Sequence, residues 1–327
     1  MLKLKNGDKI GYYSPSAPAT FFAPKRYERA KKFLEKKGFN LVTGELSGKS
    51  QGYRSGSILE RAQELNILIR NKDIKCIMST IGGNNSNSIL PYLDFEEIKK
   101  NPKIFIGYSD VTAILLAIYA KTGVITFYGP ALVASFGEFS PLVDETFSYF
   151  SDILMNDIKL PYTLKTPERY TDEFISWEDQ SRPKNTYKNT LVTVIPGKVS
   201  GRLIGGNLNT MYGIWGSEYM PEIKEGDILF IEDSLKSAAV IERSFSFLKL
   251  NHIFDRVGGI ILGKHELFND QNSGKKPYEI LLEVLGEKKI PFLAEFDCSH
   301  THPMLTLPIG GMVELDSTNK KVTLLSY

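Results

Sequence analysis

Short apolar runs alternate with helical patterns along the first half of the chain. The apolar runs are rich in β-branched and aromatic residues and predict five strands: KIGYYSP, NLVTGE, KCIMSTIGG, KIFIGYS and VITFYGP. Between them, apolar residues recur at helical spacing in KRYERAKKFLEKKGF, SILERAQELNILIRNKDI, SNSILPYLDFEEIKK and the segment that Asp110 opens. This alternation is typical of a parallel sheet with helices on both faces, so residues 1–160 predict an α/β domain.

The pattern changes after residue 160. Residues 161–196 are polar and aperiodic, and a polar connection of this length predicts a linker or a lid. Across residues 197–327, short apolar runs separated by glycine- or asparagine-rich turns predict a second, strand-rich domain. GKVSGRLIGGNLNTMYGIWG is interpreted as strands and turns, whereas SAAVIERSFSFLKLNHIF and KKPYEILLEVLGEKK predict two helices within this domain.

Composition adds limits on partners and location. A chain of 327 residues is long for one core, which agrees with two domains. The net charge of +2 gives no reason to expect nucleic acid or an acidic membrane surface as a partner. There is no apolar leader, and no run approaches the ~18 apolar residues needed to span a bilayer. These features predict a cytoplasmic protein.

Cysteine and histidine spacing argues against a metal site. Cys76 and Cys298 have no CxxC partner, so neither a structural zinc site nor a disulfide framework is expected. His300 and His302 would lie on one face of a strand, which could suit a metal, but no third ligand is evident nearby. We therefore expect no metal and no cofactor.

Two loops follow neighbouring strands of the predicted sheet, TIGGNNSN and GYSD. Ligands of open α/β sheets bind outside the carboxyl ends of the strands, which makes these loops candidate site elements. Ser109 lies at the sharp junction of a buried strand and a helix, as in a nucleophile elbow. The alternative is that Ser109 or Asp110 caps the helix. Gly82 and Gly83 could present a backbone N–H to an oxyanion, because glycine permits close approach.

A serine nucleophile needs a base and a carboxylate that orients the base. Glu232 ends the apolar run DILFIEDS, and a carboxylate there needs a partner. Its alternative roles are a strand-end ion pair or a helix cap, which Asp233 could supply equally well. His300 precedes an apolar strand in DCSHTHPMLTLPIGG, where a structural histidine is the alternative.

Four stretches carry a resemblance that spans nearly the whole chain: STIGGNNSNSILPYLD, FIGYSDVTAILLAIYAKTGVITFYGP, GRLIGGNLNTMYGIWGSEYMPEIKEGDILFIEDS and SHTHPMLTLPIG. They resemble, in order, the serine peptidases that include the LD-carboxypeptidases of peptidoglycan recycling and the microcin C immunity peptidases. The resemblance implies a Ser–Glu–His triad at Ser109, Glu232 and His300. It also implies an N-terminal flavodoxin-like domain of the class I glutamine amidotransferase type, a C-terminal swivelling β/α domain and a homodimer.

This chain departs from the family pattern at two places. It has Ser299–His300–Thr301–His302 where the family usually has Gly-His-Thr, so His302 is a rival to His300. Ile81 replaces the arginine that usually precedes the glycine pair in the LD-carboxypeptidase branch. Together with LFIEDSLK and the long inserted segment, this favours the microcin C immunity branch.

We therefore predict a serine peptidase that cleaves an amide bond in a small peptide or in a peptidyl- or aminoacyl-nucleotide. The N–H groups of Gly83 and Asp110 would form the oxyanion hole, and Trp177, Arg202 and His302 are candidate substrate-binding residues. One alternative is an LD-carboxypeptidase that releases the terminal D-Ala of muropeptide tetrapeptides. Another is a non-catalytic amidotransferase-like binding protein.

Overall fold

The computed structural model describes residues 2–327. The first part of the chain alternates strands and helices: β1 (Lys9–Tyr13), α1 (Ala19–Phe22), α2 (Pro24–Lys36), β2 (Asn40–Thr43), α3 (Ile58–Arg70), β3 (Ile74–Ser79), α4 (Phe95–Lys100), β4 (Ile104–Gly107), α5 (Thr112–Thr122), β5 (Thr126–Tyr128), α6 (Leu132–Phe136) and α7 (Leu142–Leu154). Two 3₁₀ helices, Ser86–Tyr92 and Ser109–Val111, precede α4 and α5.

The remainder is richer in strands. Its elements are β6 (Tyr162–Thr163), β7 (Arg169–Tyr170), β8 (Tyr187–Lys188), β9 (Val192–Ile195), β10 (Lys198–Asn207), α8 (Leu208–Tyr212), β11 (Ile228–Glu232), α9 (Ala238–Leu250), α10 (Ile253–Arg256), β12 (Gly259–Gly263), α11 (Pro277–Leu285), β13 (Phe292–Phe296), β14 (Leu307–Ile309), β15 (Met312–Asp316) and β16 (Lys321–Ser326). Within residues 2–327, no helix is long and apolar enough to cross a membrane.

The first sheet has the order β14-β5-β4-β3-β1-β2. All neighbours from β2 to β5 pair in parallel, whereas β14 is antiparallel to β5. The parallel order 2-1-3-4-5 is that of a flavodoxin-like sheet. Strand β4 is buried along its whole length, as expected for a strand covered on both faces. The predicted N-terminal α/β class is confirmed.

The second sheet has the order β6-β16-β15-β10-β11-β12-β13-β9. Strands β10 to β13 pair in parallel at its centre, and antiparallel strands flank them on both sides. The predicted strand-rich second unit is therefore also confirmed.

Some strands pair into a sheet other than the one their place in the sequence suggests. Strand β14 follows β13 in sequence but joins the edge of the first sheet. Strands β6 and β9, near the two ends of the predicted connector 161–196, pair into the second sheet. The connector is thus fastened at both ends, although it is polar and aperiodic.

Two local predictions are wrong. SNSILPYLDFEEIKK is not one helix, because Pro91 lies inside the 3₁₀ helix Ser86–Tyr92 and α4 starts afresh, with the Asp94 side chain accepting a hydrogen bond from Glu97 N–H. The second half of GKVSGRLIGGNLNTMYGIWG is not strand. There, Asn207 accepts a hydrogen bond from Thr210 N–H and so caps the short helix α8.

Helix α5 explains how the two halves meet. Its residues from Thr112 to Ile118 are all buried, so it has no solvent-facing stripe in that stretch. It contacts β4 and β5 of its own sheet and also α8 and β10 of the second half. The helix that starts just after Ser109 is therefore part of the seam between the halves.

Candidate active site

The carboxyl ends of strands from both sheets meet at one cleft. Ser109 follows β4 and Gly83 follows β3 in the first sheet. In the second sheet, Glu232 is the last residue of β11 and His300 follows β13. The site therefore lies where open parallel sheets usually bind ligands, but two sheets contribute to it.

Ser109 has a strained backbone. Its φ of +61° lies in the left-handed region, which is uncommon for a residue other than glycine. The Ser109 N–H donates to the Tyr128 hydroxyl over 2.9 Å, and the Thr112 hydroxyl donates to the Ser109 carbonyl over 2.7 Å. Neither Ser109 nor Asp110 supplies a side-chain cap to α5, so the helix-cap alternative is wrong.

His300 lies between Ser109 and Glu232. Its Nε2 is 3.0 Å from Ser109 Oγ, and its Nδ1 is 2.7 Å from Glu232 Oε2. Burial acts to lower the pKa of His300, but the adjacent Glu232 carboxylate outweighs burial and holds that pKa above its usual value. The three side chains form one continuous chain of hydrogen bonds.

The Glu232 carboxylate is buried and fully partnered. Besides His300, its Oε1 accepts hydrogen bonds from the Tyr128 hydroxyl at 2.5 Å and from Asn207 Nδ2 at 2.9 Å. Burial acts to raise the pKa of Glu232, but His300 and these donors outweigh burial and hold that pKa below its usual value. Glu232 is thus set up as a carboxylate and not as an acid.

The loop after β3 packs tightly against the residue after Ser109. A Cβ on Gly82 would lie 2.9 Å from the Asp110 backbone nitrogen, so only glycine fits there without displacement. The Asp110 carboxylate accepts hydrogen bonds from the N–H groups of Asn85 and Ser86, both at 3.0 Å. These contacts hold the loop that contains Gly83 against Asp110, next to Ser109.

The cleft over Ser109 has a volume of about 280 Å³. Its lining includes Gly83, Tyr108, Ser109, His300, His302 and Trp177. Further polar groups in the lining are Asn84, Lys184, Asn209, Asp233, Lys236 and Glu266. Both positive and negative side chains therefore face the space in front of Ser109.

Trp177 reaches the cleft from the connector. It packs against Phe22, with ring centroids 6.0 Å apart, and the Arg26 guanidinium lies 4.6 Å from its ring centroid. Lys184, also from the connector, pairs with the buried Glu138 at 3.3 Å. The connector thus covers part of the cleft, and the Lys184–Glu138 ion pair fastens it to the N-terminal half of the chain.

His302 and Arg202 lie outside the hydrogen-bonded chain of Ser109, His300 and Glu232. His302 lines the cleft but contacts neither Ser109 nor Glu232, and burial together with Lys184 lowers its pKa to about 3. Arg202 is not among the lining residues, because it is held in a bidentate pair with Asp227 at 2.6 and 3.0 Å. This corrects the prediction that Arg202 binds substrate.

Sequence reasoning missed two residues of this site, Tyr128 and Asn207. Tyr128 ends β5, within the predicted strand VITFYGP, and Asn207 ends β10. Both therefore stood at strand carboxyl ends, which was the available signal. Nothing local in the sequence distinguishes them from ordinary strand-end residues.

Family models match both halves of the chain. The LD-carboxypeptidase N-terminal domain matches residues 10–129, and the LD-carboxypeptidase C-terminal domain matches residues 200–315. The chain belongs to peptidase family S66. Both domains of the family are therefore present, and both contribute residues to the cleft.

Relatives within family S66 match over almost the full length. The chain is 60% identical to the microcin C7 self-immunity protein MccF of Escherichia coli over 320 residues, covering 97% of this chain and 93% of that protein. It is 57% identical to a putative carboxypeptidase of Vibrio cholerae over 321 residues, covering 98% and 96%. Family membership and these names support hydrolase activity.

A solved structure extends the comparison to the fold. MccF in complex with aspartyl sulfamoyl adenosine superposes with a TM-score of 0.98 at 58% identity, covering 100% of this chain and 98% of that one. This S66 chain is therefore similar to MccF in sequence and in architecture.

Proposed function

We propose that the protein is a serine peptidase of the microcin C immunity type, hydrolysing an amide bond in a small peptide or in a peptidyl- or aminoacyl-nucleotide. The observation that carries this proposal is the hydrogen-bonded chain Ser109–His300–Glu232 at the floor of the cleft. A hydroxyl, an imidazole and a buried carboxylate in this order are what serine catalysis requires.

Each group takes a role from its contacts. Glu232 accepts a hydrogen bond from the His300 Nδ1–H and stays ionised, which leaves Nε2 free to take the Ser109 proton as Oγ attacks the carbonyl carbon. The protonated His300 then donates that proton to the leaving nitrogen, and an acyl-enzyme remains on Ser109. A water activated by His300 attacks the ester, which releases the acid and restores Ser109.

The developing oxyanion needs donors that already point at it. We assign this role to the backbone N–H groups of Gly83 and Asp110. The close packing of Gly82 on the Asp110 nitrogen supports the assignment, because it brings the two loop backbones together next to Ser109. The Asp110 carboxylate, held by Asn85 and Ser86, keeps this arrangement rigid.

Two observations support a nucleotide-like substrate: the ligand of a relative and the lining of the cleft. The MccF structure named above holds aspartyl sulfamoyl adenosine, an aminoacyl-nucleotide analogue. In this chain, the cleft lining includes the aromatic ring of Trp177 and two lysines, Lys184 at 3.3 Å from Glu138 and Lys236 at 3.6 Å from Asp233. An aromatic face suits a base, and the lysines suit an acidic group. We propose an aminoacyl-nucleotide as the preferred substrate.

A second candidate function is an LD-carboxypeptidase that releases D-Ala from muropeptides. The matching family models carry this name, which is the observation in its favour. The non-catalytic alternative is disfavoured, since a merely inherited fold gives no reason for three side chains to keep hydrogen-bond distances. We further propose that the protein acts in the cytoplasm and forms a homodimer. Light scattering on the purified protein tests the dimer.

The decisive experiment compares two substrates and two serine variants. Purified protein is incubated with aspartyl sulfamoyl adenosine and with a muropeptide tetrapeptide, and release of the amino acid is followed by mass spectrometry. We expect hydrolysis of the nucleotide analogue and a loss on the order of 10⁶-fold in kcat for Ser109→Ala, with folding intact.

Ser151→Ala is the matched control, because Ser151 lies on α7 and does not line the cleft. It should retain full activity. Preferential release of D-Ala would support the second candidate function instead. Near-normal turnover by Ser109→Ala would remove Ser109 from the mechanism.

A further inference from the structure

The Tyr128 hydroxyl makes two hydrogen bonds that no other residue of the site combines. It donates to Glu232 Oε1 at 2.5 Å and accepts from the Ser109 backbone N–H at 2.9 Å. Burial, reinforced by the Glu232 charge, raises the pKa of Tyr128 well above its usual value, so the hydroxyl keeps its proton. Its donor and acceptor roles are therefore fixed.

The position of Tyr128 follows from the sheet. It is the last residue of β5 and pairs with Gly107 of β4, two residues before Ser109. Its ring also packs edge-on against Phe230 of β11, with centroids 5.2 Å apart. Tyr128 thus belongs to the first sheet while its ring and hydroxyl contact the strand that ends in Glu232.

Each contact constrains a reacting group. The bond from Ser109 N–H supports a backbone conformation that is unfavourable for serine on its own. The bond to Glu232 Oε1, together with that from Asn207, occupies one carboxylate oxygen and leaves Oε2 for His300. One hydroxyl therefore links the orientation of the nucleophile to the orientation of the carboxylate.

We propose that Tyr128 is a positioning residue for the hydrolysis proposed above, holding Ser109 and Glu232 in register across the seam between the two sheets. This inference rests on the proposed function. It assigns Tyr128 no contact with substrate, because Tyr128 does not line the cleft. Its effect passes through Ser109, Glu232 and, through Glu232, His300.

The test is Tyr128→Phe, with Tyr12→Phe as the matched control. Tyr12 is also a buried strand tyrosine whose hydroxyl makes two hydrogen bonds, at 2.6 Å to Tyr27 and 2.7 Å to Thr43. Both variants remove a buried hydroxyl with two partners, but only one of these hydroxyls contacts Ser109 and Glu232. Any general cost of losing such a hydroxyl appears in both variants.

We expect kcat of Tyr128→Phe to fall about 10- to 100-fold, the effect of losing a hydrogen bond to a charged group, with KM changed less than about twofold. The acid limb of kcat/KM should move to higher pH by up to about one unit. The direction follows from the loss of a donor. Without the Tyr128 hydroxyl, ionised Glu232 is less stabilised and its pKa rises. The carboxylate then also attracts the protonated form of His300 more strongly, so the His300 pKa rises as well. Tyr12→Phe should show neither change.

Other titratable groups also face His300, and they are unchanged in both variants. They lie after β4, β11 and β12, in the connector and in the loop of His300 itself: Tyr108, Asp233, Lys236, His265, Glu266, Lys184 and His302. The comparison of the two Tyr→Phe variants therefore isolates the Tyr128 hydroxyl.

A second measurement does not depend on turnover. The His300 pKa is determined by NMR in Ser109→Ala and in Ser109→Ala/Tyr128→Phe, and we expect a higher value in the double variant. An unchanged acid limb, an unchanged His300 pKa, or equal losses in Tyr128→Phe and Tyr12→Phe would overturn the positioning role. Absence of hydrolysis by the wild-type protein would instead contradict the proposed function, while the NMR comparison would still decide the role of Tyr128.

Discussion

Replacing Arg26 by methionine should be one of the most destabilising single changes in the first domain. The Arg26 side chain is fully buried on α2 and pairs with Glu138, which is 1% exposed, at 2.6 Å. Its guanidinium also donates to the carbonyls of Val133 and Ala134 and to Gln180 of the connector. Methionine fills much of the same space but removes the Arg26 donor from each of these acceptors.

The magnitude follows from the contacts that remain. Breaking a buried ion pair by removing one partner costs about 3–5 kcal/mol, because the other charge stays in a low-dielectric site. Glu138 keeps Lys184 at 3.3 Å and the Gln180 amide at 2.9 Å, which reduces the cost, whereas the two abandoned carbonyls add to it. We therefore expect a loss of about 3–5 kcal/mol in the free energy of unfolding.

Urea unfolding followed by circular dichroism measures this loss. Lys9→Met is the control, because the Lys9–Asp73 pair is exposed at 43% and 67%, and we expect no measurable change. Arg26→Lys keeps the charge without the planar fork and should fall between the wild type and Arg26→Met. In a double-mutant cycle with Glu138→Gln, the double variant should lose less stability than the sum of the single variants. An Arg26→Met loss no larger than that of Lys9→Met, or strict additivity with Glu138→Gln, would refute this reasoning.

Two further predictions concern activity. Trp177→Ala should lower turnover or substrate affinity with little change in melting temperature, because Trp177 is half-buried and faces the cleft. The control Trp215→Ala should leave the kinetics unchanged, since Trp215 packs on Phe247 outside the cleft. If Trp177→Ala melts earlier but keeps full activity per folded molecule, the connector does not act as a lid. His300→Ala should lower kcat as much as Ser109→Ala, whereas His302→Ala should mainly change KM. EDTA should not affect the activity of the wild type. If steady-state assays rank the two histidine variants the other way round, His302 is the base.

Much of the architecture could be predicted from local sequence patterns. Alternating apolar runs and helical periods predicted the parallel sheet, because a strand buried on both faces has to be apolar throughout, as β4 is. Loops after those strands marked the site, since parallel strands align their carboxyl ends. Ser109, Glu232 and His300 were named from strand ends and from the family resemblance, and the structure brings all three within hydrogen-bond distance.

Other features depend on contacts between distant parts of the chain. Arg202 was a candidate substrate-binding residue from the sequence, but Asp227, 25 positions away, holds its guanidinium. Tyr128 and Glu232 are 104 positions apart, and their hydrogen bond exists only because the two sheets pack along α5. Local sequence determines which residues are apolar, helical or strand-forming, since those properties depend on near neighbours. Only the tertiary structure decides which polar groups meet, because each buried polar group takes whichever partner the folded chain places within about 3 Å.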